Sequence, residues 1–146
     1  MISLYTALEE VAPPEAPLLL VGWRNDVMIH ASTQVFWLSD RRIVGRHHEL
    51  HPGITDTEPV QRQMLDAVRA EAMAPVVVRE HRFSGEVLDH WGRIYREGGV
   101  PVGAEILDRW VDDNYESVGR FGMYEVMRPS AGWSGPSVET APDPGD

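Results

Sequence analysis

The densest run of chemically capable side chains is Arg46-His47-His48-Glu49-Leu50-His51. Neutral imidazoles and a carboxylate are zinc ligands, and in an extended segment alternation would carry His47, Glu49 and His51 onto one face. The run lacks the helical H-E-x-x-H spacing, Pro52-Gly53 stops it, and no distant ligand is specified. A polar loop whose histidines bond to backbone is the simpler reading, so neither a metal nor a cofactor is assigned. His81 and His90 sit in a less regular stretch and carry less weight.

A second group is Arg24, Asp26 and His30, just beyond a run that reads as a strand. Ligands of open α/β sheets collect at the carboxyl ends of strands. The turn Gly22-Trp23-Arg24-Asn25-Asp26 has none of the G-x-G-x-x-G pattern that dinucleotides need, and an Arg–Asp pair that staples the turn competes with a ligand. Arg41-Arg42 and Arg46 form a basic patch on an acidic chain, and guanidinium forks suit carboxylates and phosphates. The thirteen residues from Arg41 to Gly53 can span up to ~43 Å when extended. That reach brings Arg24, Asp26, Arg46 and His48 within range of one cleft, and these four are the expected ligand-binding residues. The competing expectation is that Asp26 and Glu49 neutralise the arginines internally.

No residue is assigned a catalytic role. G-x-S-x-G is absent, and no serine stands in a nucleophile context. Asp108, Asp112, Asp113 and Glu116 have helical spacing and read as a solvated face. Trp23, Trp37 and Trp110 read as core or interface anchors rather than a sugar-stacking platform.

Composition narrows the classes. A chain of 146 residues with 42% hydrophobic and 25% charged residues is one globular domain's worth of sequence. The absence of cysteine removes thiol nucleophiles, zinc ribbons and disulfide scaffolds. All 13 basic residues are arginine, which removes Schiff-base and P-loop lysine chemistry. A net charge of −10 disfavours general nucleic-acid binding. No run approaches the ~18–20 apolar residues of a membrane span, and no signal peptide is visible, so a soluble chain without its own span is expected.

The elements that must position these residues follow from pattern. Ile2, Leu4, Tyr5, Leu8 and Val11 fit a short helix ended by Pro13-Pro14. Leu18–Val21 and Val76–Val78 read as strands buried on both faces of a parallel sheet. Between them, a helix is expected from Val27 to Ser39, with Ile29, Thr33, Phe36 and Trp37 on one side. A second follows the capping-box spacing Thr55-Asp56-Thr57-Glu58. Glu80–Gly99 shows no clean period and reads as a long loop with one helical turn near Val87–Tyr95. A helix over Val102–Asn114 precedes two strands, Val118–Phe121 and Tyr124–Met127, joined at Gly122-Met123 as a type II′ hairpin. The expected fold is α/β, a three-layer sandwich with a mostly parallel sheet and an antiparallel C-terminal hairpin. One domain spans 1–129, and a Pro/Gly/Ser-rich disordered tail spans 130–146.

The segment order resembles the soluble C-terminal region of bacterial polytopic glycosyltransferases, those similar to aminoarabinose transferases and protein O-mannosyltransferases. The likeness is carried by Leu18–Asp26, by Gln34 through Arg42 (QVFWLSDRR), by Arg46–Gly53, by Thr55–Gln61, and by Ile106–Val111, Asn114-Tyr115 and Val118–Val126. It covers about Leu4 to Arg128. The membrane helices and the acidic residues of the first external loop that carry catalysis in that family have no counterpart in this sequence. The resemblance therefore implies a non-catalytic accessory domain of an enzyme using polyprenyl-phosphate sugars, at the extracytoplasmic face of the bacterial membrane. Its partners would be the transferase or its lipid-linked sugar, and the anionic group in the expected cleft a lipid phosphate. The alternative is a small stand-alone enzyme or anionic-ligand-binding protein, cytoplasmic, using loop 41–51.

Overall fold

The computed structural model describes residues 3–27, 34–47 and 50–131. In chain order these form α1 (Leu4–Val11), β1 (Leu18–Gly22), α2 (Gln34–Ser39), α3 (Glu58–Arg69), β2 (Val76–Glu80), α4 (Gly85–Glu97), α5 (Ile106–Asn114), β3 (Tyr115–Phe121) and β4 (Tyr124–Pro129).

The fold is α/β around one four-stranded sheet of order β1-β2-β4-β3. β1 and β2 pair in parallel, Leu18 beside Val76 and Gly22 beside Glu80. Every residue of β1 is buried, and in β2 only Arg79 is partly open, so both faces of this half are covered. β4 joins β2 antiparallel, and β3 closes the edge as the hairpin partner of β4. The sheet is thus mixed. Its parallel part is β1, β2 and an isolated bridge between Leu18 and Ile43. β3 and β4 pair antiparallel because a two-residue connection admits no other direction, and β4 also runs antiparallel to β2. Gly122 takes φ +65° while Met123 does not turn positive, as a type II′ turn requires.

The expected helix over Val27–Ser39 is described only for Gln34–Ser39, and Ile29 and Thr33 lie outside the described residues. There Val35 and Phe36 face the core while Trp37 is 85% exposed, so Trp37 is no core anchor. α3 starts at Glu58 with Thr57 as its N-cap. The expected capping box is not formed at Thr55, which is buried and hydrogen bonded to His51. α5 begins four residues later than expected, after Gly103 at φ +111°.

The largest correction concerns Glu80–Gly99. Glu80 ends β2, and Gly85–Glu97 is the longest described helix, with 13 residues. Ser84 caps it, its side chain accepting from Val87 N. Val87, Leu88, Trp91, Ile94 and Tyr95 do recur at helical spacing. The pattern is masked by Gly85 and Gly92, and Gly92 is there because a Cβ would stand 2.8 Å from Val27 Cγ2. Ser130, placed by the sequence in the tail, is still tied to Asn114 O. The rest of the tail, 132–146, lies outside the described residues.

Candidate functional site

At the carboxyl end of β1, Asn25 folds the chain back on itself. Its Oδ1 accepts from Gly22 N at 2.9 Å, and its Nδ2 donates to Gly22 O at 3.0 Å. The same Nδ2 and the Asn25 backbone N–H donate to Asp108 of α5, at 2.7 Å and 2.9 Å. Asp108 was expected on a solvated acidic face. Instead it is half-buried and turned onto the turn, while Asp112, Asp113 and Glu116 are exposed. Burial pushes its carboxyl up to about 6, aided by the Asp26 charge and opposed by the hydrogen bonds from Asn25 and the charge of Arg79.

Gln61 of α3 locks this corner from below. It is fully buried. Its Nε2 donates to Asn25 O at 2.9 Å and Ala104 O at 2.7 Å, and its Oε1 accepts from Leu107 N at 3.0 Å. Gly103 N also donates to Asp26 O, and Ala104 N to Asp56 O. Two connections, 22–27 and 103–107, therefore meet at one amide side chain, and 53–57 joins them through Ala104 N and Asp56 O. Gln61 shares the buried face of α3 with Met64, Leu65 and Val68, and nothing local in the sequence signals its partners 36 to 46 residues away.

Around this corner charges pair in close order. Arg24 donates through Nε and Nη2 to Asp26, at 2.9 Å and 2.8 Å, and through Nη1 to Asp89 of α4 at 2.6 Å. Hydrogen bonding to Asp26 outweighs desolvation and holds the guanidinium even more firmly protonated. Glu80 pairs with Arg82 at 2.7 Å, and Arg79 with Asp112 at 2.5 Å. His81 lies 2.9 Å from Glu125. Burial alone would raise the Glu125 carboxyl, but hydrogen bonds from Ser117 and His81 and the charge of Arg79 hold it below its usual value. Trp23 packs its ring 5.7 Å from that of His81 and remains 37% exposed.

The second polar region, 41–47, rejoins the sheet beside Leu18, the first residue of β1. Leu18 N donates to Arg42 O, and Val44 N to Leu18 O. Asp40, at φ +51°, ends α2 in the left-handed conformation and turns Arg41 inward. Arg41 is 7% exposed and donates to the carbonyls of Leu8, Ala12, Pro13 and Ala16, closing the C-terminal end of α1. Arg42 forks onto Glu71. Arg46 is exposed, and its Nη2 donates to Gln63 Oε1 of α3 at 2.9 Å.

Of the four residues expected to bind a ligand, Arg24 and Asp26 come together as an ion pair, as the stapled-turn reading has it. Arg46 sits against Gln63, and His48 lies outside the described residues. A cavity of about 430 Å³ adjoins Arg46, between residues 44–47 and α3. Glu49, expected to neutralise an arginine or to hold a metal with His47 and His51, also lies outside the described residues. Among the described residues no three His, Asp or Glu side chains converge as a metal-holding group, and no helix is long and apolar enough to cross a membrane. Compared with known protein families, curated proteins and solved structures, the chain matches none.

Proposed function

We propose that the chain is a non-catalytic accessory domain of a membrane glycosyltransferase using polyprenyl-phosphate sugars, in contact with the transferase or its lipid-linked donor at the extracytoplasmic face. The observation that carries the reading is where the residues of the resemblance fall. Asn25, Arg41, Gln61 and Asp108 all belong to it, and each spends its polar groups on another part of the same chain. A motif made of braces preserves a shape, which is what a domain that positions a partner requires. The carboxyl edge, where an α/β enzyme would gather substrate, is here tied shut by paired charges.

A docking role also gives a use to the apolar side chains left in water. Trp37 and Leu38 on α2 are 85% and 64% exposed, and Val87, Trp91 and Ile94 line one side of α4. Replacing Trp37 by a photo-crosslinking aromatic in cells tests the reading. Adducts with a polytopic sugar transferase are expected. Adducts with soluble proteins alone, or release of sugar from a polyprenyl-phosphate donor by the purified chain, would refute it.

A further inference from the structure

We propose that the cavity between residues 44–47 and α3 binds an amphiphilic oxyanion, a phosphate or carboxylate borne on a short apolar stem, with Arg46 as its charge partner. The inference goes beyond the accessory-domain reading and holds whether the domain works alone or beside a transferase.

Charge pairing and cavity position together point to Arg46. Acidic residues outnumber basic ones by 23 to 13. Arg24, Arg42, Arg62, Arg69, Arg79, Arg82, Arg109 and Arg128 each meet a carboxylate. Among the described residues Arg41, Arg46, Arg93, Arg96 and Arg120 do not; of these five Arg46 is the one that lines the cavity against α3, where it meets the side chains of Gln63 and His47. Gln63 Oε1 can only accept, so its 3.2 Å contact with His47 Nε2 requires that nitrogen to carry a proton. The 3.5 Å approach of Arg46 Nε to the same nitrogen is then no hydrogen bond. Nε and Nη1 of Arg46 remain as donors, and both N–H groups of the Gln63 amide are spent on nothing described. Two neighbouring groups, Arg46 and the Gln63 amide, thus offer donors at one rim.

The cavity beside them is apolar. Val44 and Met64 form its buried wall, each 4% exposed, with Ala67 beside them. At about 430 Å³ it falls within the range of small-molecule sites, roughly 300–1,000 Å³. Gly45 lets segment 44–47 lie against α3: it holds φ +63°, and a Cβ there would come within 2.9 Å of Ala67 Cβ. Among the described lining residues the one carboxylate, Asp66, pairs with Arg69 at 3.1 Å. Donors on a rim over an apolar wall fit an anionic head with a hydrocarbon stem better than a bare ion.

Titrating the ¹⁵N-labelled full chain with hexyl phosphate, inorganic phosphate and hexanol tests this. Saturable shifts of the 44–47 and 63–67 amides with hexyl phosphate are expected, with weaker binding of inorganic phosphate and of hexanol. Gln63→Glu places a carboxylate against Arg46 without changing shape, and Arg46→Gln removes the charge. Each should weaken hexyl phosphate about tenfold, the scale of a charge-assisted hydrogen bond, while the thermal midpoint stays in place. Equal affinity for inorganic and hexyl phosphate would overturn the amphiphile assignment. Hexyl phosphate that binds both variants as tightly as wild type, or fails to bind wild type at millimolar concentration, would overturn the site.

Discussion

The corner at the end of β1 and the 44–47 rim are both rich in polar groups, yet their accounting differs. Around Asn25, Gln61 bridges three backbone groups, Asp108 takes three contacts, and Arg24 divides itself between two carboxylates. At Arg46 the guanidinium is exposed and leans on a neutral amide. A buried polar group has to find its partner in the protein, because an unpaired one costs about 1–3 kcal/mol. An exposed one loses little by waiting for a ligand. Density of polar residues is therefore a poor guide to a site, and unspent hydrogen-bonding capacity beside a cavity is a better one.

The strongest way to break this contrast is Gln61→Leu. It leaves Asn25 O, Ala104 O and Leu107 N unsatisfied in the core, and a loss of about 3–5 kcal/mol is expected from urea unfolding. A loss under about 1 kcal/mol would mean that the corner is no brace.

Asp108 gives a pH signature of the same corner. Its carboxyl stands at about 6 in the folded chain against an ordinary 3.8. The folded state therefore holds the proton more tightly than the unfolded state. The resulting penalty is absent below pH 3.8, grows as pH rises, and reaches about 3 kcal/mol above pH 6. The stability difference between Asp108→Asn and wild type should shift by about that amount in favour of the variant from pH 4 to pH 7. A flat difference would contradict the raised carboxyl.

Gly92→Ala sharpens the comparison at the point where α4 presses on Val27, which follows the turn. Overpacking against Val27 Cγ2 should cost about 1–3 kcal/mol in thermal unfolding, and a neutral result would mean that α4 yields easily. Arg46→Gln is the opposite pole, with a stability change within about 0.5 kcal/mol. A larger loss would make Arg46 another brace.

How much of this was legible in the sequence depended on the range of the interactions. β1 and β2 were read from all-apolar runs, and the hairpin from Gly122 at the first position of the turn, because these signals are local. α4 was hidden by Gly92, whose reason is a tertiary contact with Val27. The Arg24–Asp26 staple could be read because its partners lie two residues apart. Asp108 was misread because its helical spacing with exposed acids says nothing of Asn25, 83 residues earlier. Gln61 was visible only as part of a resembling motif, and its role needed the 22–27 and 103–107 connections brought together in space.

The most direct test of the central contrast is one map of amide shifts on adding hexyl phosphate. The account predicts shifts confined to the 44–47 segment and the 63–67 stretch of α3, with the amides of Trp23 to Asp26 and of Leu107 and Asp108 unmoved. Shifts centred on Arg24 and Asn25, with residues 44–47 silent, would exchange the roles of brace and site and contradict it.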